Sequence, residues 1–205
     1  GGDGAGGLSF LLIEADSPGV SRAKLDKMGW WMSDTASIRF DDVRAPADNL
    51  IGSENSGFAG IVANFNMERL GMAAQAIAFA RVCIEDAAQW ALQRQTFGKP
   101  LVKHQVIRHK FAEMVRHVHA SSALLDNCAW RVRNGEAPIA ELSLLKVQAT
   151  RTMEFCAREA MQILGGAGFV RGCRVERIYR EVRVMAIGGG SEEIMLDLAA
   201  RQMGV

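Results

Sequence analysis

Residues 57–91, "GFAGIVANFNMERLGMAAQAIAFARVCIEDAAQWA", decide the fold. Phe58, Ile61, Val62, Phe65, Met72, Ala73, Ala76, Ile77, Ala80, Ile84, Ala87, Ala88 and Ala91 keep an i, i+3, i+4 rhythm. That rhythm lays one apolar stripe along a helix. No proline occurs from Gly57 until Pro100, so the spacing predicts one long helix, which "TFGKP" (96–100) breaks. Downstream, helical periodicity runs over about 102–133 and 139–164, with "NGEAP" (134–138) as the turn between them. "GGAG" (165–168) stops the third helix, a further helical piece covers about 174–184, and the "GGG" loop (188–190) precedes a last short helix over 191–202. Long helices joined by short turns predict a helical bundle.

Upstream the character differs. Residues 8–14, "LSFLLIE", read as a buried strand, followed by a turn at Pro18-Gly19. "ASIRFDDV" (36–43) alternates from Ile38 to Phe40 and reads as a second strand, and Pro46 ends the β part. The expected fold is therefore mostly α: residues 1–52 form pieces of a sheet too small to stand alone, and residues 53–205 form the bundle. The chain does not begin with Met and opens on "GGDGAGG" directly before a strand-like run, which reads as the cut end of a longer chain.

Composition excludes several classes of function. The 205 residues are 49% hydrophobic and 23% charged, enough to bury a sizeable core. The net charge of +1 gives no footprint for nucleic acid and no polybasic membrane surface. No apolar run approaches a membrane span, and there is no signal-peptide pattern. Cys83, Cys128, Cys156 and Cys173 form no C-x-x-C pair and read as apolar filler in a reducing compartment. "GGDGAGG" contains G-x-G-x-x-G at Gly2, Gly4 and Gly7, but a dinucleotide fingerprint needs a strand before it and a helix after it. It reads as a loop. "GGAG" reads as a helix C-cap and turn. In "GGGS", Ser191 reads as an N-cap, with Glu192 and Glu193 already placed at the positive end of the helix dipole.

One feature breaks the apolar stripe. After Phe65 it should continue at positions 68, 69 and 72, yet 68 and 69 are Glu68 and Arg69, in "NFNMERLGM". A carboxylate on a buried face is costly unless paired. Glu68–Arg69 is either a structural ion pair or a carboxylate held beside a cleft for proton abstraction, and spacing alone leaves both open.

Five stretches occur in order: "LDKMGWWMSDTASIRFDDVRAPADNLIG" (25–52), "RQTFGKPLVKHQ" (94–105), "MQILGGAGF" (161–169), "RIYREVRVMAIGGGSEEI" (177–194) and the terminal "LAARQMGV". Together they resemble the acyl-CoA dehydrogenases, flavin enzymes that introduce a 2,3 double bond into acyl-CoA thioesters. The resemblance spans the chain and is carried by R-x-x-F-G, H-Q and Q-I-L-G-G as a set. It implies the last part of a β-barrel-like middle domain followed by an up-down C-terminal four-helix bundle. It also implies FAD as cofactor, an electron-transfer flavoprotein as electron acceptor, a homodimer or homotetramer, and a place in fatty-acid oxidation in the bacterial cytoplasm or the mitochondrial matrix. Because the segment that carries the family's contacts to the flavin rings is absent, the chain alone is expected to be inactive and to bind FAD weakly or not at all.

The resemblance assigns roles residue by residue. Arg94, Thr96 and Phe97 match the element that contacts the FAD of a neighbouring subunit. His104 and Gln105 match a flavin-contacting pair at the start of the next helix. Gln162, Gly165 and Gly166 match the adenine-side contact, and Gly190, Ser191 and Glu193 match the last loop's contact to the dinucleotide. Many relatives carry the catalytic glutamate in that loop, at the position of Gly189. In the isovaleryl and long-chain types it sits instead on the first bundle helix just before an Arg, which here is Glu68 before Arg69. The implied mechanism gives the substrate α-proton to Glu68, oriented by Arg69, while the β-hydrogen leaves as hydride to flavin N5. The Gly189 backbone N–H helps to polarise the thioester carbonyl. Phe65, Asn66 and Met67 line the thioester or pantetheine path. With no bulky side chain at Gly188 or Gly189, that corner is expected to be open, which favours a long or branched acyl group. Two rivals stay open: a relative with other chemistry, such as a nitroalkane oxidase or a DNA-damage-associated flavoprotein, and a non-catalytic helical assembly module.

Overall fold

The computed structural model describes residues 4–205, apart from the side chain of Ala63. Gly2 of the glycine-rich opening lies outside the described residues; Gly4–Gly7 form a 3-10 turn and β1 follows, so the pattern has no helix behind it. The chain divides into two compact units, one ending at Phe65 and one running Asn66–Val205.

In the first unit, β1 (Phe10–Leu11) pairs antiparallel with β4 (Leu50–Ile51). β2 (Val20–Lys24) pairs with β3 (Ala36–Phe40). Among the described residues these are separate two-stranded ladders, not a closed barrel. The buried strand expected over 8–14 shrinks to two residues, and Leu8, Leu11 and Leu12 are each about half exposed, at 49%, 51% and 57%. A two-stranded ladder has no second layer to cover its apolar side chains. β2, with its alternation diluted by Ser21, Arg22 and Lys24, is a strand that the sequence reading missed.

About the first two and a half turns of α1 (Gly57–Gln93), up to Phe65, belong to this unit. The Gly57 N–H donates to Leu8 O at 2.9 Å, and a Cβ at Gly57 would meet the backbone of residues 8–10 at 3.1–3.2 Å. Gly57 thus lets the helix start against the strand. This docking places the division inside α1, past the change of composition at residue 52.

The second unit is the helical bundle. α1 ends at Gln93 and gives way to a tight hairpin of β5 (Gln95–Thr96) and β6 (Lys99–Pro100). Its two-residue loop, Phe97-Gly98, has φ of +50° and +77°, the signs a type I′ turn demands. α2 (Gln105–Arg133) follows a 3-10 turn, Leu101–Lys103, which takes up the first residues of the helix expected from about 102. α3 (Ile139–Leu164) has the bounds that its periodicity predicts and packs against α2, α4 (Arg174–Ile187) and α5 (Glu192–Met203). As the central helix it buries fifteen of its side chains, among them Leu142, Leu145, Met153, Cys156 and Ile163. α1 contributes a face of small residues, Ala73, Ala76, Ala80, Cys83, Ala87 and Ala91, all fully buried. Cys83, Cys128 and Cys156 are buried free thiols and Cys173 is half-buried, in keeping with apolar filler. Among the described residues no helix is long and apolar enough to cross a membrane.

Candidate active site

Two clusters of the expected residues form in the bundle. The first surrounds the loop between α4 and α5. α4 ends at Ile187, and the chain turns through Gly189 and Gly190, with φ of +69° and +115°. Only glycine adopts such values cheaply in succession. Ser191 then caps α5, its hydroxyl accepting from the Ile194 N–H at 3.4 Å, as the sequence predicts. Glu192 accepts from Arg151 Nε at 2.9 Å. The Ser191 hydroxyl is among the groups that hold the Glu193 carboxyl below its usual value, after a backbone hydrogen bond.

The loop is pinned from three sides. The Gly188 N–H donates to Val184 O at 2.7 Å. Gly189 O accepts from Arg69 Nε of α1 at 2.9 Å. Gly190 O accepts from Lys146 Nζ of α3 at 2.7 Å. Between these anchors, the Gly189 N–H donates to no described residue.

Arg69 is the buried member of the interrupted stripe, 7% exposed, while Glu68 is exposed. This corrects the expectation that Glu68 lies on the buried face. Adjacent helical residues point about 100° apart, so position 69 continues the row 69, 73, 76 and position 68 falls on its margin. Arg69 also donates from Nη1 to Asn66 Oδ1 at 3.3 Å. Burial lowers its pKa, and the nearby Glu68 carboxylate works in the opposite direction. Met67 is exposed and Phe65 half-buried, the latter at the end of the first unit. The corner beside Gly188 and Gly189, expected to be open, is occupied: a Cβ at Gly189 would stand 3.0 Å from Met72 Sδ, and one at Gly188 3.5 Å from Met72 Cε. Met72 lies one helical turn beyond Arg69, at i+3, which is why it reaches the same loop.

The second cluster lies where α1 and α3 end. Arg94 and Thr96 share a cleft of about 400 Å³ with Trp90, Leu101 and residues 163–167, which include Gly165 and Gly166. Gly165 caps α3 with φ +59°, and nothing stands within 4 Å of a Cβ built on Gly165 or Gly166. His104 does not line the cleft but supports it, Nε2 lying 3.0 Å from Thr96 Oγ1. Its ring meets Phe97 edge-on, while the Phe97 side chain is 97% exposed and outside the cleft. Gln105, at the start of α2, and Gln162, in the last turn of α3, are exposed and also outside it. Trp90 and Leu101 were not singled out from the sequence, where each reads as one apolar residue among many. Lys146 to Gly165 is 19 residues of α3, so the two clusters lie roughly 28 Å apart along that helix.

The family model for the acyl-CoA dehydrogenase C-terminal domain matches residues 55–204. The chain belongs to the acyl-CoA dehydrogenase family. It is 42% identical to acyl-CoA dehydrogenase AFT10-1 of Alternaria alternata, over 97% of this chain and 49% of that protein. It is 34% identical to the mitochondrial long-chain specific acyl-CoA dehydrogenase of Mus musculus, over 97% of this chain and 46% of that one. Among solved structures, a probable acyl-CoA dehydrogenase from Mycobacterium abscessus superposes with a TM-score of 0.97 at 47% identity, covering all of this chain and 55% of its own. The chain thus spans about half the length of the relatives it matches.

Proposed function

We propose that this chain is the helical-bundle part of an FAD-dependent acyl-CoA dehydrogenase in which Glu68 is the catalytic base. The observation that carries the proposal is the hydrogen bond from Arg69 to Gly189 O. It brings together the helix position and the loop position at which family members carry their glutamate. Only the helix position holds a carboxylate here, and the loop position is a left-handed glycine closed off by Met72.

A thioester α-C–H is a weak acid and needs both a positioned carboxylate and a polarised carbonyl. Glu68, exposed at the margin of the stripe, is placed to take the α-proton. Arg69 holds the loop and acts on Glu68 through its charge. The Gly189 N–H, fixed between anchored neighbours, is the donor for the thioester oxygen. Asn66 and Met67 border the substrate path. Because Met72 fills the corner beside Gly188 and Gly189, a long or branched acyl group is proposed only on the ground that the base sits on the first bundle helix, as in the long-chain and isovaleryl types.

The second cluster fits part of a dinucleotide. Arg94 offers a fork of donors for a pyrophosphate, Thr96 a hydroxyl, and the open backbone at Gly165 and Gly166 a close approach for an adenine. His104, Gln105, Phe97 and Gln162 border it. Gly190, Ser191 and Glu193 contact the dinucleotide at the loop. A bound FAD would supply the acceptor for the β-hydrogen, as hydride. The separation of the clusters supports a homodimer or homotetramer in which each serves a different flavin, with electrons leaving to an electron-transfer flavoprotein.

The test is Glu68→Gln in the intact protein, assayed by anaerobic flavin bleaching with a series of acyl-CoA thioesters. Bleaching should fall by at least about a hundredfold. Unchanged bleaching in the variant would remove Glu68 from the mechanism, and faster turnover of butyryl-CoA than of C8 or branched thioesters would remove the chain-length reading.

A further inference from the structure

Lys146 is the largest fully buried side chain among the described residues. It sits in the N-terminal third of α3, on a buried face where an ammonium is costly without compensation. Its described hydrogen bonds both end on backbone carbonyls, Ala186 O and Gly190 O, each at 2.7 Å. Ala186 belongs to the last turn of α4, whose carbonyls lack partners within the helix and carry the negative end of its dipole. Gly190 is the second of the two left-handed glycines. One side chain therefore ties the end of α4 to the far side of the loop, and Ile187, Gly188 and Gly189 lie between its two anchors.

The charges acting on Lys146 come from Arg69 on α1 and Glu192 on α5, while α4 presents carbonyl ends. Burial, the main influence, pushes its pKa down to about 8; Glu192 opposes that shift and Arg69 adds to it. Arg69 and Lys146 thus grip consecutive carbonyls, Gly189 O and Gly190 O, from opposite helices.

We infer that Lys146 is a positioning residue for the dehydrogenation: it fixes the Gly188–Gly190 loop so that the Gly189 N–H points at the thioester oxygen. This rests on the function proposed above. A loop of successive glycines has many conformations to lose, and a donor serves a developing oxyanion only if it is held in place before reaction. The ammonium makes charge-assisted bonds, roughly twice as strong as neutral ones, and it loses that strength when it deprotonates. The expected signature is a defect in kcat rather than in KM, because the oxyanion contact strengthens in the transition state.

The experiment compares wild type, Lys146→Met and Glu68→Gln in the intact FAD-loaded enzyme. It measures kcat and KM for an acyl-CoA, and amide hydrogen exchange of residues 188–191, across pH 6.5–9.5. Lys146→Met keeps the length and removes the donors. It should lower kcat roughly ten- to a hundredfold with KM within about threefold. Exchange in the loop should rise and lose the step near pH 8 that wild type shows in both measurements. If Lys146→Met does not fold, Lys146→Gln, which keeps amide donors, takes its place and should give a smaller kcat defect. The wild-type exchange step near pH 8 stands independently of either variant. Equal kcat and unchanged loop exchange in the variant would overturn the inference, as would a defect confined to KM. Failure of the underlying function reads differently: wild type would not bleach with any thioester, or Glu68→Gln would bleach at full rate.

Discussion

Replacing Gly189 with alanine tests the geometry on which the site depends. Its φ of +69° lies in the left-handed region, where an L side chain costs about 1–2 kcal/mol. The new Cβ would also stand 3.0 Å from Met72 Sδ and 3.9 Å from Arg69 Cγ. The sulfur lies on a flexible side chain, so relief of that contact costs less than a rigid clash, about 1 kcal/mol or under. The two effects sum to about 1.5–2.5 kcal/mol. Urea denaturation of the intact protein, followed by the bundle's helical signal, measures the loss. In a Met72→Ala background only the backbone part should remain, so the cycle should give a coupling of about 0.5–1 kcal/mol. A loss below about 0.3 kcal/mol would show that residue 189 is not left-handed. An unchanged cost after Met72→Ala would show that Met72 does not close the loop position. Either result would refute the reason given for the missing loop carboxylate.

Three further outcomes are expected. Ser191→Ala should destabilise the protein by about 0.5–1 kcal/mol through loss of the α5 cap, read from urea denaturation. Burial pushes the Cys83 thiol pKa up and that of Cys156 up to about 12, so mass spectrometry after brief alkylation at pH 8 should find both unmodified in the native protein. Half-buried Cys173 should label first. Lys146, held at about 8 when folded against an ordinary 10.5, gives a pH dependence of known sign. Between those values the unfolded chain binds a proton that the folded chain has released, so this group raises stability with pH, by at most about 3 kcal/mol. Lys146→Met should flatten that rise in denaturation curves taken from pH 7 to 10.5. The folded state holds this ammonium at a cost in stability, in keeping with a role in the loop's geometry.

Helix positions were readable because burial of one face imposes a period that survives any choice of neighbour. The bounds of α3 follow from its apolar rhythm, the start of α1 from Gly57 and its end from "TFGKP". Local rules also placed the Ser191 cap and the Gly165 terminus, since both depend only on residues next in the chain. The strands were less legible. β1 and β4 pair across some forty residues, and β2 lacks a clean alternation because its side chains are not buried on one face. The β5–β6 hairpin read only as a break, because Phe97 is not a residue that announces a left-handed turn.

By itself, then, the sequence determined the bundle, its punctuation and the adjacency of Glu68 and Arg69 in a broken stripe. The tertiary structure alone decided which of that pair is buried. Side-chain direction on a helix shifts by about 100° per residue, so the answer depends on where the neighbouring helices stand. It alone showed that Arg69 reaches Gly189 across 120 positions of sequence, and that Lys146 reaches Ala186 and Gly190. Periodicity reports which face is covered, whereas a hydrogen bond between distant residues exists only once packing has brought donor and acceptor to one place.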